Sequence, residues 1–547
     1  MSGQRRRYVT TIGILSAVLF ALATVTTTAS TASAATSYVP ISGAGSSWSS
    51  NAIDQWRRNV QQYGIRVNYA STGSSDGRNQ FKAGTVDFGA SEIPYGTTDN
   101  GVTEPAPSRG YAYMPDVAGG TAFMYNLQSG GKRITNLRLS GDTLSKLFTG
   151  VITHWNDPLI KADNPGLTLP DYKVVPVVRS DGSGSTAQFT LWMSKLHASV
   201  WNNYCKGAGR RVPCGETSNF PVVFGKGFVA QPNSQGVAGY VAQTANVGTI
   251  TYVEYSYAIK TGYPVAKILN AAGYYTEPTA SNVAVALLKA KINTNPSSPA
   301  YLTQQLDGVY SDPDPRTYPL SSYSYMIVPT QLQDGFTTAK GATLAAFANY
   351  FLCEGQQQAD VLGYSPLPIN LVKAGLAQVK RIPGAVVSSI NIKKCNNPTF
   401  SASGANTLAV NAPQPSSCDK KGVTQCTTGT GGAKGTPTKS TSGTSGGTGT
   451  DSGATGTGDV GTDGTGGTAT AGTGGGGVAT VINAHGNTSC DADTGICQVV
   501  NAIPVDAPTP AGWGLPQTFV LGIGIIILLL IVAPPTAVLI ARRNRRS

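Results

Sequence analysis

Three times in its first two hundred residues this chain repeats one local pattern: a short apolar strand, a turn of glycine and serine, then a helix. The first copy runs Tyr38-Val39-Pro40-Ile41, then Gly43-Ala44-Gly45-Ser46-Ser47-Trp48, then a helix with Ile53, Trp56, Val60 and Tyr63 at helical spacing. The second runs Ile65 to Tyr69, then Gly73-Ser74-Ser75-Asp76-Gly77, then Arg78 to Ala83. The third runs Val174 to Val178, then Arg179-Ser180-Asp181-Gly182-Ser183-Gly184-Ser185, then a helix predicted to carry Phe189, Trp192 and Leu196 on one face. Such alternation predicts an α/β fold with parallel sheets covered by helices. Ligands of such sheets sit beyond the carboxyl ends of the strands, where these turns lie. A helix start there presents unsatisfied N–H groups and the positive end of a dipole. Glycines let the backbone approach, and serines add hydroxyl donors, which is the chemistry of oxyanion capture.

Other chemistries fit the same turns less well. A nucleotide P-loop needs a lysine in a register that none of the three turns has. Gly73 to Gly77 matches the G-x-S-x-G nucleophile elbow, with Ser75 as nucleophile and His154 or His197 as the base, so a serine hydrolase is a second reading. No HGGG-type oxyanion segment accompanies it. A surface adhesin, scaffold or sensor is a third. The three histidines and the cysteine spacings make a metal site a poor reading, and no cofactor is implied. Nucleic acid is not an expected partner. Arg5, Arg6, Arg7, Arg542, Arg543, Arg545 and Arg546 supply seven of the formal net charge of +12, so no basic patch is left for a phosphate backbone.

The ends give an address. Residues 1–34 read as a signal peptide: Arg5-Arg6-Arg7, the apolar run Ile12 to Val25, and the cleavage site Ala32-Ser33-Ala34. Phe519 to Ala541 is a run of 23 uncharged, mainly apolar residues, enough to cross ~30 Å of hydrocarbon. The arginines in 542–547 place a basic tail in the cytoplasm, so the chain reads as exported and held in the cell membrane by one C-terminal helix. Leu515-Pro516-Gln517-Thr518 resembles a cell-wall sorting signal, although Phe519 stands where glycine is expected. Between Thr427 and Thr480, 37 of 54 residues are Gly or Thr, so 427–480 is predicted to be a disordered stalk. A short cysteine-containing segment, 481–514, precedes the span. Eight cysteines in an exported chain read as disulfides. Cys205–Cys214, Cys418–Cys426 (in an extension, 401–426) and Cys490–Cys497 are close pairs, which leaves Cys353 for Cys395.

Residues about 38 to 395 resemble the phosphate-binding proteins of bacterial phosphate ABC transporters. The resemblance rests on Gly43 to Trp48, Gly73 to Gly77, Val86-Asp87-Phe88-Gly89-Ala90-Ser91-Glu92 and Leu147-Phe148-Thr149-Gly150 with His154-Trp155-Asn156-Asp157-Pro158. Asn164-Pro165-Gly166-Leu167, Arg179 to Ser185, Gly248 to Tyr257 and Tyr364-Ser365-Pro366-Leu367-Pro368 extend it. It implies a two-lobe type II periplasmic-binding-protein (Venus-flytrap) domain at 35–400 that binds inorganic phosphate and partners an ABC permease, without enzymatic activity. Lobe one would hold about 38–116 and 260–397, and lobe two about 117–259, with crossings near Pro115 to Gly120 and Tyr257 to Thr261. Carried over, the ligand set is Ser47, Trp48, Ser74, Glu92, Arg179, Asp181, Ser183, Gly184 and Ser185. Arg179 would pair with the oxyanion, Asp181 would hold its guanidinium, and Ser183, Gly184 and Ser185 would donate from a helix start. The family has Thr and Phe where Ser47 and Trp48 stand, and Thr at Ser185. It has Asp at Glu92, where the carboxylate accepts a hydrogen bond from protonated phosphate and repels fully ionised sulfate; Glu92 is one methylene longer.

Overall fold

The computed structural model describes residues 38–436 and 438, apart from 299, 387–391, 393, 394, 396 and 400–404, together with the backbone of short strands between 481 and 499. The expected signal peptide, 1–34, most of the Gly/Thr stretch, and the apolar run 519–541 lie outside the described residues. Among the described residues no helix is long and apolar enough to cross a membrane.

The first two strand–turn–helix copies fold as read: β1 (Ile41–Gly45), α1 (Ser50–Asn59), β2 (Val67–Ala70), α2 (Ser74–Lys82), then β3 (Phe88–Ser91). β1 lies between β2 and β3 and is parallel to both. The long strand β4 (Tyr111–Asn126) then passes from this half of the molecule to the other. Beyond it, β5 (Val175–Arg179), α3 (Gly184–Leu196), β6 (Val229–Gln231), α4 (Asn233–Val241) and β7 (Thr249–Glu254) repeat the arrangement, with β5 parallel to β6 and β7. β8 (Val265–Leu269) joins the same half, and β9 (Ser321–Pro329) returns to the first. The strand order is β6-β5-β7-β4-β9-β3-β1-β2. β4 pairs with β9 through Gly120 and with β7 from Thr121, so the two halves meet at Gly120 and Thr121.

Successive side chains of a strand point to opposite faces. In the second half, Val178, Phe123, Tyr125, Ile250 and Tyr252 enter one core, and Val177, Ala122, Met124 and Val253 enter another. Both faces of that sheet are therefore covered, as parallel sheets require. A separate core around Trp56, Phe88, Tyr325 and Phe351 serves the first half.

Three expectations are corrected here. The chain does not return to the first half near Tyr257 to Thr261. Val265 and Ala266 pair with Met124 and Phe123, and Leu306, Val309, Tyr318 and Leu320 pack in the second half's core. Val283 and Leu287 between them touch the first half's core, but the chain rejoins the first half's sheet only at Ser321. Leu196 and Tyr63 do not join their helices' apolar faces. Each lies at the end of its helical stretch, 45% and 50% exposed, and Met193 completes the α3 face instead. The folded body also runs past the expected stalk boundary at 427. Thr430 is buried and hydrogen-bonded to Thr135 and Val265, and the Thr438 hydroxyl accepts from the Thr135 N–H at 2.9 Å.

Disulfides join Cys205 to Cys214, Cys353 to Cys395, and Cys418 to Cys426. Cys353 and Cys395 sit in the first half's core. From there the chain reaches the second half, where Arg138 donates to the carbonyls of Cys418 and Val423, and Lys267 pairs with Asp419 at 2.8 Å. Residues 405–438 are thus a strap between the halves. Asp419 is 9% and Lys267 16% exposed at the side chain, so Asp419→Ala should strand a mostly buried ammonium, costing about 2–3 kcal/mol in urea unfolding. In the second, separate unit, strands Val481–Asn483, Gly486–Cys490 and Cys497–Val499 form an antiparallel sheet that sets Cys490 opposite Cys497. Their side chains lie outside the described residues, as does the expected bond between them.

Candidate oxyanion site

Four helix starts converge where the halves meet: α1 and α2 from the first, α3 and α4 from the second. At α1, α2 and α4 the N-cap residue, respectively Ser49, Gly73 and Pro232, provides no side-chain cap, so the backbone donors there are left to other groups. Only α3 caps itself, through Ser183 Oγ accepting from Thr186 N–H at 3.2 Å. Gly73 has a φ of 99°, which only glycine adopts readily, and a Cβ there would lie 2.4 Å from Asp181 Oδ2 across the cleft.

Arg179 ends β5 and is 3% exposed. Its Nε donates to Asp181 Oδ1 at 2.7 Å, and the Nη2 group donates to Asp181 Oδ2. Its Nη1 reaches the Ser234 hydroxyl at 3.3 Å, leaving N–H groups of the fork for another acceptor. Asp181 also accepts from the Asn233 N–H at 2.8 Å. Ser234, the second residue of α4, bridges the cleft: its hydroxyl lies 2.9 Å from Ser47 Oγ, and its N–H donates to that same oxygen at 3.0 Å. Below, the Tyr252 hydroxyl accepts the Arg179 N–H and meets Thr186 Oγ1; burial raises its pKa to about 12, so it stays protonated.

The opposite wall is Glu92, 1% exposed. Its Oε1 accepts from the hydroxyls of Ser46 and Ser324, and its Oε2 from Ser74 at 2.6 Å. Ser74 Oγ in turn accepts the Gly184 N–H at 3.1 Å, and the Ser75 N–H donates to the Gly182 carbonyl at 3.0 Å. The extra methylene thus carries the carboxylate against the start of α3: a Cβ on Gly184 would stand 1.9 Å from Glu92 Oε2. Around these helix starts the Ser49, Thr72 and Ser185 hydroxyls and the Trp48 indole N–H are buried without a protein partner among the described residues. Buried donors of this kind call for an acceptor. The Trp48 ring packs edge-on against Tyr364 at 5.7 Å.

All nine expected ligand residues therefore line one junction, but not all as expected. The Gly184 N–H is given to Ser74, and Ser183 Oγ accepts from its own helix while its O–H remains to be donated. Ser46, Ser234 and Ser324 were not among the expected residues. Ser234 lies at the helix start of a fourth strand–turn–helix copy, Val229 to Val241, that the same pattern would have found. Ser46 adjoins Ser47 inside a motif already singled out. Ser324 lies in a wholly buried strand beside two other serines, Ser321 and Ser322, and nothing in the sequence singles it out.

The elbow reading fails on geometry. The Ser75 hydroxyl donates to Ser218 at 3.2 Å and has Arg78 behind it. His154 meets Thr153, and His197 rests on the Trp192 ring with its pKa lowered by burial, so neither is a partner of Ser75.

Two further carboxyls are fully buried at the hinge. Asp116 and Glu254 are pushed well above the ordinary carboxylate range by burial, Asp116 secondarily by the charge of Glu92. Each binds a proton when folded that it would release when unfolded, so stability is greatest below the unfolded pKa and falls as pH rises. Asp116→Asn imitates the protonated acid. Its melting temperature should fall less than the parent's between about pH 5 and about pH 8.

A family model described as a PBP superfamily domain matches residues 26–354. The phosphate-binding protein PstS of Xylella fastidiosa is 35% identical over 62% of this chain and 84% of its own length. That of Haemophilus influenzae is 31% identical over 62% of this chain and 92% of its own. Among solved structures, a high affinity periplasmic phosphate-binding protein bound with phosphate covers 64% of this chain and 100% of its own at 17% identity, with a TM-score of 0.47.

Proposed function

The chain belongs to the PBP superfamily and, within it, to the PstS family of phosphate-binding proteins, and from that premise we propose that it binds inorganic phosphate outside the cytoplasm for an ABC importer. The observation that carries the reading is the buried Arg179 fork, held by Asp181 at the focus of four helix starts. A helix start and an arginine fork both suit a tetrahedral oxyanion. In this reading phosphate takes its charge-assisted bonds from Arg179. Ser47, Trp48 and Ser74 close on it from the first half, and Asp181, Ser183, Gly184 and Ser185 from the second. The unpartnered Ser185 hydroxyl and Trp48 N–H supply two of the missing donors. Glu92 accepts a hydrogen bond from the proton that phosphate keeps near neutral pH and that sulfate lacks. Closure is then favoured by ligand, because only the closed state satisfies both sets of donors.

Residues 1–34 would act as the export signal, and 519–541 as a membrane anchor reached through the Gly/Thr stretch, which starts after the strap rather than at 427. This arrangement would keep the binding domain beside its permease. The test is phosphate uptake at limiting phosphate by cells lacking the chain. Uptake should be restored by the full chain but not by Arg179→Ala. Uptake that does not depend on the chain would contradict the transport role and favour sensing or surface display.

A further inference from the structure

We propose that Ser46 and Ser324 are positioning residues that make Glu92 selective: they occupy Oε1, and so leave Oε2 as the one oxygen that can accept a hydrogen bond from a protonated oxyanion. This rests on the phosphate reading above. An ionised carboxylate has about four acceptor sites, two on each oxygen. The two serine hydroxyls take both sites of Oε1, and Ser74 takes one of Oε2. One site remains, on the oxygen that faces the start of α3. A protonated oxyanion fills it; a fully ionised one meets lone pairs there.

The two serines come from different parts of the first half. Ser46 leaves β1, and its hydroxyl also accepts the Ser49 N–H at 3.1 Å, which fixes its direction. Ser324 lies on β9 where the ladder with β4 slips: Tyr323 faces Ala118 but Tyr325 faces Pro115. β4 therefore carries one more residue than β9 across this step, a β-bulge. Asp116 lies in that step and its carboxyl also meets the Ser324 hydroxyl; burial and the neighbouring Glu92 charge favour its neutral form, so the one Ser324 proton goes to the charged acceptor, Glu92, at 2.9 Å. Both serine side chains are fully buried, and a glutamate held this way cannot swing its longer side chain out of the cleft without stranding two hydroxyls.

The full chain should be titrated with phosphate and with sulfate as the parent, Ser324→Ala, Ser46→Ala, Glu92→Asp, and Glu92→Asp with Ser324→Ala. Each alanine variant should lower the phosphate-to-sulfate affinity ratio by about tenfold, the effect of one hydrogen bond to a charged group. In the Glu92→Asp background, whose shorter side chain does not reach Ser324, the second substitution should change the ratio little. A purely structural serine would instead lower both affinities together and act equally in either background. Unchanged ratios in both alanine variants overturn the inference while phosphate binding by the parent stands. Failure of the parent to bind phosphate overturns both.

Discussion

Replacing Arg179 by alanine should weaken phosphate binding by about 3–5 kcal/mol, a factor of roughly a hundred to a few thousand. The cleft holds two carboxylates, Glu92 and Asp181, against this one guanidinium, which is 3% exposed. Its loss leaves Asp181 with the Asn233 N–H and no cation, so an entering anion meets net negative charge instead of a positive fork. Arg179→Lys should recover only part of the loss, because a point charge cannot hold Asp181 through two parallel bonds and still offer N–H groups to a ligand. Calorimetric titration of both variants checks this. Unchanged affinity in both would remove Arg179 from the site.

Adding one methyl group at Gly184 should do comparable damage by another route. The new Cβ would stand 1.9 Å from Glu92 Oε2 and 2.7 Å from Ser74 Oγ. Glu92 cannot retreat without breaking its bonds to three serines, so the halves must part. Gly184 is not among the glycines with positive φ, and alanine suits a helix start, so α3 should be unharmed. Affinity for phosphate should fall by about 2–3 kcal/mol, with the melting temperature nearly unchanged. A fall in stability as large as the fall in affinity would mean that the clash is absorbed inside one half rather than at the cleft.

The parts of this site that were legible in the sequence are those carried by local pattern. Three Gly/Ser turns after apolar strands announced three of the four helix starts, because glycine at φ of 99° and serines at helix starts have chemical reasons to be there. Arg179 and Asp181 stood two residues apart, and their pairing is local. What escaped was what depends on tertiary register. Ser324 meets Glu92 across 232 residues, through a slip between two strands that no periodicity marks. The return between the halves was misplaced because β8 reads like any apolar strand. Only its pairing with Met124 and Phe123 assigns it to the second half. The strap was missed for a related reason. Thr430 sits in a Gly/Thr-rich stretch whose composition predicts disorder, yet its side chain bonds to Thr135 and Val265, on segments already fixed by the fold. Glu92 shows the reverse case: its identity was plain, and the consequence of its extra methylene was not, until three serines were found around it.

The account stands on an oxyanion site that accepts a hydrogen bond from its ligand. Its most direct measurement is isothermal titration of the purified protein near neutral pH, first with phosphate and then with sulfate. Phosphate should bind at one site, and sulfate should not compete even at ~10³-fold excess, since a site built on one buried hydrogen bond can discriminate by ~10⁴ or more. Competition by sulfate at concentrations similar to phosphate, or no binding of phosphate at all, would contradict it.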